Sequence, residues 1–183
     1  MITAQILCAA ILSLGLPNAE TACAYSGEVV EAANNADIDP TLLAALISVE
    51  SNWTVRARNA NSGACGLTQV LPRFTIPRLT CRQLRTDGGL SIRTGATQLS
   101  RWIARATQYR GDSTLRGLCG YNAGNSCFDG NHWRNAGMRY ARRVTSLATQ
   151  IRQEVSSIDS DLEDASIERE TEIGYNFDYG CGL

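Results

Sequence analysis

The segment that begins at Asp39 constrains the fold of this 183-residue chain more than any other. Asp39-Pro40 is a strong helix start, because an aspartate caps the first amides of a helix and proline suits its first position. The residues that follow, TLLAALISVES, are apolar almost without interruption. We therefore predict a helix that is buried on most of its sides.

Glu50 is the one charged residue within this apolar helix. It lies four residues after Leu46 and seven after Leu43, so the three side chains share one face. A carboxyl group on an apolar face is costly to ionise, and we expect its pKa to rise. A glutamate that holds a proton near neutral pH can protonate the leaving oxygen of a glycosidic bond. From this helix alone, the alternative is a helix-end glutamate that turns outward to solvent.

The remainder of the chain reads as helices joined by polar loops, since no stretch keeps the alternation of polar and apolar residues that marks a strand. We therefore predict a mainly α fold. Further helices are predicted at 27–35, from Ser91 onward, at 114–121 after a cap at Ser113, and from about Gly137 to Ile158. The apolar stripe of the last helix is interpreted as a face that packs on the core. A glycine-bearing loop at 59–72 leads into a proline-punctuated connection up to about Gly89.

Residues 1–24 resemble a secretory leader. The apolar run at 6–16 is roughly half the ~20 residues that a membrane span needs. Pro17 ends the run, and Ala22-Cys23-Ala24 has the A-x-A form of a cleavage site. No Lys or Arg precedes the run, so a retained anchor and a buried terminal helix stay open as alternatives. Membrane contact is expected only through this leader.

The charge pattern separates a basic body from an acidic end. The net charge is −1, but residues 56–143 are rich in Arg whereas 154–172 are mostly acidic. We place one domain at 25–158 and an acidic, flexible tail at 159–183, whose closing aromatic cluster is expected to dock back on the body. A basic body suits an anionic polymer, although a solvated surface explains it about as well. Nothing in the charge favours nucleic acid.

Seven cysteines are dense for a cytosolic protein and natural for an oxidising compartment. We predict disulfides between Cys65 and Cys81 and between Cys119 and Cys127, because each pair closes a short loop. A third bond, between Cys23 and Cys181, is expected if the tail docks on the body. The cysteine spacings and the lone His132 make no zinc set, so we expect no metal and no cofactor.

Four short motifs in order single out Glu50 as a candidate catalytic residue. They are Val49-Glu50-Ser51-Asn52-Trp53, the loop SGACGLTQ at 62–69, the turn GYNAG at 120–124 and YARRV at 140–144. In order and spacing they resemble the soluble lytic transglycosylase family, which carries a catalytic E-S, a G-x-x-G-L-M-Q-type loop, an A-Y-N-A-G turn and a later tyrosine. The resemblance runs from about Tyr25 to Val144, some two thirds of the chain, and Gly95 also falls where the family has a glycine.

The resemblance implies an α+β lysozyme-like fold whose helical body forms a substrate cleft around Glu50, the expected acid/base. The residues that it implies for substrate binding or for orienting the glutamate are Ser62, Gly66, Leu67, Thr68, Gln69, Tyr121, Asn122 and Tyr140. The implied reaction cleaves the β-1,4 bond between N-acetylmuramic acid and N-acetylglucosamine in peptidoglycan, and the muramyl 6-hydroxyl closes a 1,6-anhydro ring. No second carboxylate is needed, and the sequence has no Asp or Glu between Glu50 and Asp87.

Two positions depart from the family pattern, with Thr68 where Met is usual and Gly120 where Ala is usual. We expect the Thr68 hydroxyl to reach a substrate acetamide. Cys65 lies within the loop motif and Cys119 directly precedes the turn motif, so their disulfides are expected to brace the cleft loops. Among the tryptophans, Trp102 follows a helical apolar rhythm and is assigned to the core, whereas Trp133 is the candidate sugar platform. His132 is expected in an exposed loop.

Two other functions stay open. A goose-type lysozyme shares the fold and the single glutamate, and it would hydrolyse the same bond. A non-catalytic murein-binding component would keep the fold, but the intact Glu50, Gln69, Tyr121 and Asn122 speak against it. The expected setting is exported, in the periplasm or cell envelope. The enzyme would serve the bacterial wall or a secretion apparatus, or it would belong to a phage lysis system or phage particle.

Overall fold

A computed structural model of the chain describes the backbone of residues 1–129 and 134–177 and the side chains of this part up to residue 163. Within this part the chain forms nine α-helices, one short 3-10 turn and two isolated β-bridges, and no strand. The mainly α prediction is confirmed. The helices are α1 (Ala4–Ser13), α2 (Ala19–Ala24), α3 (Ser26–Asn35), α4 (Pro40–Ser51), α5 (Cys81–Thr86), α6 (Gly88–Ala106), α7 (Ser113–Ala123), α8 (Ser126–Asp129) and α9 (Arg134–Phe177).

Helix α4 begins at Pro40 as predicted and lies inside the core. Asp39 caps it, accepting hydrogen bonds from the amide of Thr41 at 2.7 Å and from its hydroxyl at 2.6 Å. Every residue from Thr41 to Ser48 is buried. Arg152 of α9 donates to Asp39 at 2.6 Å, which joins the start of α4 to the long last helix. Because the apolar residues cover all sides of α4, the other helices have to enclose it.

Two helix starts differ from the prediction. Helix α6 begins at Gly88 rather than Ser91, because Asp87 accepts from the Leu90 amide at 2.8 Å and so caps the helix earlier. Helix α7 is capped by Asp112, which accepts from the Leu115 amide at 3.0 Å, so Ser113 is the first helical residue and not the cap. In both cases the helix cap is an aspartate that lies upstream of the predicted serine.

The connection predicted to run to about Gly89 contains helix α5, which the sequence analysis missed. Thr80 and Gln83 form a reciprocal capping box, with Oγ1 of Thr80 accepting from the Gln83 amide at 3.2 Å and Oε1 of Gln83 accepting from the Thr80 amide at 2.9 Å. The T-x-x-Q pattern was the available signal for this helix.

Helix α9 begins at Arg134 and continues to Phe177, well past the end predicted at Ile158. Its apolar stripe packs on the core as interpreted, and the buried members are Ala141, Val144, Ala148, Ile151 and Val155. The segment expected to be a flexible tail is therefore helical in its described part. Glutamate, which is frequent there, is a strong helix former. Tyr179 and Cys181 lie outside the described residues.

The N-terminal segment packs on the same core. Leu7, Ala10 and Ile11 of α1 are fully buried, in contact with α3 and α9. A disulfide between Cys8 and Cys23 ties α1 to α2, so the expected partnership of Cys23 with Cys181 is wrong. This packing corresponds to the alternative of a buried terminal helix. Within the described part of the chain, no helix combines the length and the apolar character needed to cross a membrane.

Candidate active site

A cavity of about 660 Å³ opens beside the C-terminal end of α4. Its walls come from α4, from the loop at 59–74, from α6 and α7, and from the start of α9. The residues that line it are Glu50, Asn59, Ser62, Ala64, Gln69, Val70, Leu71, Phe74, Gln98, Trp102, Gly120, Tyr121, Asn122, Ala123, Gly124 and Ala136. Among these, Glu50 is the one carboxylic acid, so the described wall offers no second carboxylate as a nucleophile.

The carboxyl group of Glu50 is largely buried. Burial raises its pKa to about 7 from an ordinary value of 4.5, and a hydrogen bond from Tyr140 opposes this shift. The Tyr140 hydroxyl donates to Oε1 of Glu50 at 2.6 Å. The apolar helix face therefore has the effect predicted from the sequence, because it keeps a large fraction of Glu50 protonated near neutral pH. Such a group can both donate and accept a proton.

Two partly buried tyrosines flank this carboxyl group. The pKa of Tyr140 and that of Tyr121 are both raised well above the usual value, first by burial and then by the negative charge of Glu50. The Tyr121 hydroxyl donates to the carbonyl oxygen of Thr68 at 2.7 Å, and this bond links α7 to the loop opposite. Both tyrosines therefore remain neutral hydrogen-bond donors around the glutamate.

The loop that faces Glu50 depends on two residues with positive φ. Gly66 has φ +78°, and a Cβ atom there would collide with the Leu84 carbonyl and the Ser91 hydroxyl. Gln69 has φ +48°, and its side-chain amide donates to the Gly66 carbonyl at 2.8 Å while its side chain lines the cavity. The Cys65–Cys81 disulfide, predicted from the sequence, ties this loop to α5. A tight, cross-linked turn thus presents Gln69 to the cavity.

The structure separates the predicted site residues into three groups. Those that line the cavity with Glu50 are Ser62, Gln69, Tyr121 and Asn122. Tyr140 lies behind the glutamate as its hydrogen-bond donor. Gly66, Leu67 and Thr68 are buried and support the loop from inside.

Thr68 does not have the environment expected for contact with a substrate acetamide. Its side chain is fully buried, and its hydroxyl donates to the Ser91 carbonyl at 2.8 Å. A Cβ atom on Gly95 would collide with the Thr68 side chain, so the glycine provides the space that the threonine fills. The Thr68 side chain, which is smaller than the methionine usual in the family, packs between the loop and α6. Its hydroxyl already has a hydrogen-bond partner.

The turn at 120–124 is braced by the second predicted disulfide, Cys119–Cys127, which joins α7 to α8. Gly124 ends α7 with φ +62°. Both predicted disulfides are confirmed, and each holds a segment that lines the cavity.

The tryptophans are distributed differently from the prediction. Trp53 is buried, and its indole N–H donates to the Ser48 hydroxyl at 2.8 Å. Trp102, which the helical rhythm assigned to the core, is half-buried and lines the cavity instead. Trp133 and His132 lie outside the described residues. The core assignment of Trp102 was wrong because residues of a cleft wall and residues of a core show the same apolar spacing on a helix.

Sequence reasoning also missed three cavity residues with polar or aromatic side chains, Asn59, Phe74 and Gln98, and the apolar Val70, Leu71 and Ala136. Gln98 precedes Trp102 by one helical turn, so recognition of either would have indicated the other. No pattern marked Asn59 or Phe74, since both lie in irregular segments whose path depends on tertiary contacts. Among the described residues, no cluster of three or more His, Cys, Asp or Glu side chains is arranged to hold a metal ion.

The fold and site define a mainly helical domain with a cleft around one buried glutamate. Residues 28–143 match the transglycosylase SLT domain family, and the chain belongs to this family. It is also similar to a solved structure of an inactive mutant of the lytic transglycosylase Slt from Pseudomonas aeruginosa, with 24% sequence identity and a TM-score of 0.56. The match covers 70% of this chain and 24% of the other, so the chain spans about a quarter of the length of that relative.

Proposed function

We propose that this chain is a peptidoglycan lytic transglycosylase. It would cleave the β-1,4 bond between N-acetylmuramic acid and N-acetylglucosamine and leave a 1,6-anhydro end. The observation that carries the proposal is Glu50, a largely buried carboxylic acid whose pKa is raised to about 7 in a cavity with no second carboxylate on its described wall. Membership of the SLT domain family supports the same chemistry.

The reaction proceeds as two proton transfers through Glu50. The protonated carboxyl group donates its proton to the bridging oxygen as the bond from that oxygen to C1 of the muramyl residue breaks. The resulting carboxylate accepts the proton of the muramyl 6-hydroxyl while that oxygen bonds to C1. The ring closes without water, and Glu50 ends protonated as it began. A pKa of about 7 suits a group that has to perform both transfers.

The surrounding residues orient this exchange. The hydroxyl of Tyr140, at 2.6 Å from Oε1, fixes the carboxyl group and stabilises its charge between the two transfers. Gln69, Ser62 and Asn122 line the same cavity and provide amide and hydroxyl groups for the acetamido and hydroxyl groups of the sugars. Tyr121 holds the loop against α7 through Thr68.

Two alternatives use the same site. In a goose-type lysozyme, water attacks C1 instead of the 6-hydroxyl, and Glu50 activates that water. In a non-catalytic murein-binding component, the cavity holds the glycan without cleaving it. Retention of a largely buried acid with a donor at 2.6 Å favours catalysis over simple binding, because burying an ionisable group without use is costly.

Mass spectrometry of muropeptides after digestion of purified peptidoglycan tests the three functions. Anhydro ends, lighter by one water than reducing ends, are expected from the wild type. Reducing ends alone would replace the proposal with hydrolysis, and an absence of products would leave binding. Glu50→Gln serves as the matched control, because it keeps the shape of the side chain and removes its acid function. The Pseudomonas Slt structure is likewise of an inactive mutant in which glutamine replaces a glutamate.

We also place the enzyme in the cell envelope, after export. The three disulfides within the described residues support an oxidising compartment. The proposed setting is then the bacterial wall or a secretion apparatus, or a phage lysis system or particle. Fractionation of cells that express the full chain, with sequencing of its N-terminus, tests export and shows whether residues 1–24 are kept. Recovery in the cytoplasm with free thiols would refute this placement.

A further inference from the structure

Gly120 and Trp102 form a close contact at one wall of the cavity. A Cβ atom on Gly120 would approach Cε3 of Trp102 to 2.7 Å and a ring carbon of Phe128 to 3.0 Å. Both distances are shorter than ordinary van der Waals contact, so the two aromatic rings occupy space that any larger residue at 120 would take. The glycine at this position therefore leaves room for the indole of Trp102 to lie against α7.

The indole is held by a stack of groups behind it. The ring of Phe128 lies 5.6 Å from that of Trp102, with an angle of 17° between the planes. The guanidinium of Arg105 is 4.5 Å from the Phe128 centroid, and it donates to the Asn125 side chain at 2.7 Å. The Cys119–Cys127 disulfide fixes the segment that carries Phe128. A tryptophan held in this way presents an ordered aromatic surface to the cavity, at little entropic cost on binding.

A second aromatic ring lines the same cavity. Gln98, one turn before Trp102 on α6, donates to the backbone carbonyl of Phe74 at 3.0 Å. Phe74 lines the cavity and is 60% exposed, so much of its ring is open to solvent. Arg73 lies 4.9 Å from the centroid of its ring. Phe74 and Trp102 thus bring two aromatic faces into a cavity that also contains the acid Glu50.

We propose that Trp102 is a stacking platform for a pyranose ring of the glycan strand. Phe128 supports the indole, and the missing side chain of Gly120 leaves room for it. Phe74 is a second, more exposed contact. The inference rests on the proposed function for the identity of the glycan. A pyranose ring has an apolar face of C–H groups that packs on an aromatic face, and it leaves the acetamido and hydroxyl groups free for the polar residues. The wall therefore determines how firmly the enzyme holds its substrate and is not part of the proton transfers.

Steady-state kinetics on purified glycan strands test the platform. Trp102→Leu is expected to raise KM about tenfold with little change in kcat, since stacking contributes to substrate and transition state alike. Trp102→Phe keeps a ring and should recover most of the loss, and Gly120→Ala should raise KM by displacing the indole. The matched control is Tyr109→Leu, because Tyr109 contacts Phe128 at 5.1 Å but does not line the cavity, so its KM should equal that of the wild type. An unchanged KM for Trp102→Leu, or an equal rise for Tyr109→Leu, overturns the proposal.

A binding experiment separates failure of the platform from failure of the proposed function. Glu50→Gln protein, labelled with nitrogen-15, is titrated with an N-acetylglucosamine hexamer, and the indole N–H signals are followed by nuclear magnetic resonance. The Trp102 signal, assigned by its loss in Trp102→Phe, should shift saturably while the buried Trp53 signal stays in place. A shift in this experiment without any cleavage of peptidoglycan by the wild type would refute the lytic function and keep the sugar platform. Absence of the shift refutes the platform whatever the activity.

Discussion

Helices α1 and α4 are both apolar and both pack against α9, but they serve the molecule differently. All residues from Thr41 to Ser48 of α4 are buried, whereas α1 buries one side and leaves Leu12 51% exposed. The enclosed helix therefore places a carboxyl group where water is scarce and changes its acidity. The peripheral helix closes the core and is fastened by a disulfide, and it carries no titratable side chain. Apolar composition alone does not separate the helix that carries the proposed acid from a covering helix.

The comparison predicts that chemistry depends on one residue of α4. Glu50→Gln should lower kcat on the order of 10³-fold, because general acid–base catalysis supplies gains of this size and glutamine has no proton to transfer. Release of muropeptides measures the loss, and circular dichroism should show an unchanged helix content. Turnover within tenfold of the wild type would mean that another group is the acid.

The covering helix should contribute stability without chemistry. Ile11→Ala leaves a cavity in the core and should lower the free energy of unfolding of the full chain by about 2–5 kcal/mol, measured by urea denaturation. Leu12→Ala is the matched control on the same helix, and its exposed side chain should change the value by less than about 0.5 kcal/mol. Activity below the unfolding transition should stay near that of the wild type in both variants. Equal small effects would show that α1 does not close the core in solution.

The acidity of Glu50 also predicts how stability varies with pH. Its pKa is about 7 in the folded chain and near 4.5 when unfolded, so the folded state holds its proton more tightly. The wild type should therefore lose about 3 kcal/mol of stability as the pH rises from 4.5 to 7 and little more above that. Glu50→Gln lacks this loss. Its free energy of unfolding, relative to that of the wild type, should therefore rise by about 3 kcal/mol between pH 4.5 and 8. Parallel pH profiles for the two proteins would mean that Glu50 is not desolvated.

Much of the fold and of the candidate site follows from local sequence rules, and the remainder depends on tertiary contacts. Asp39-Pro40 and the apolar run predicted α4, and short loop closure predicted two disulfides. By contrast, periodicity could not tell that Trp102 faces a cavity, because a cleft wall is as apolar as a core. An apolar stretch of the length of α1 has the same composition in a signal segment as in a buried helix. The closeness of Tyr140 to Glu50, 90 residues apart, followed only from the family resemblance.

The smallest predicted effect concerns this contact between α9 and the end of α4. Tyr140→Phe removes the hydrogen bond to Oε1 and should lower kcat about tenfold, since the carboxyl group loses the donor that orients it. The same bond lowers the pKa of Glu50, so its loss should move the alkaline limb of the pH–rate profile upward. Tyr121→Phe breaks a bond to the Thr68 carbonyl and none to Glu50, so that limb should keep its position. A lower rate with an unmoved limb in Tyr140→Phe would assign Tyr140 to packing alone, because only a group that acts on the carboxyl changes the pH at which the enzyme loses its acid.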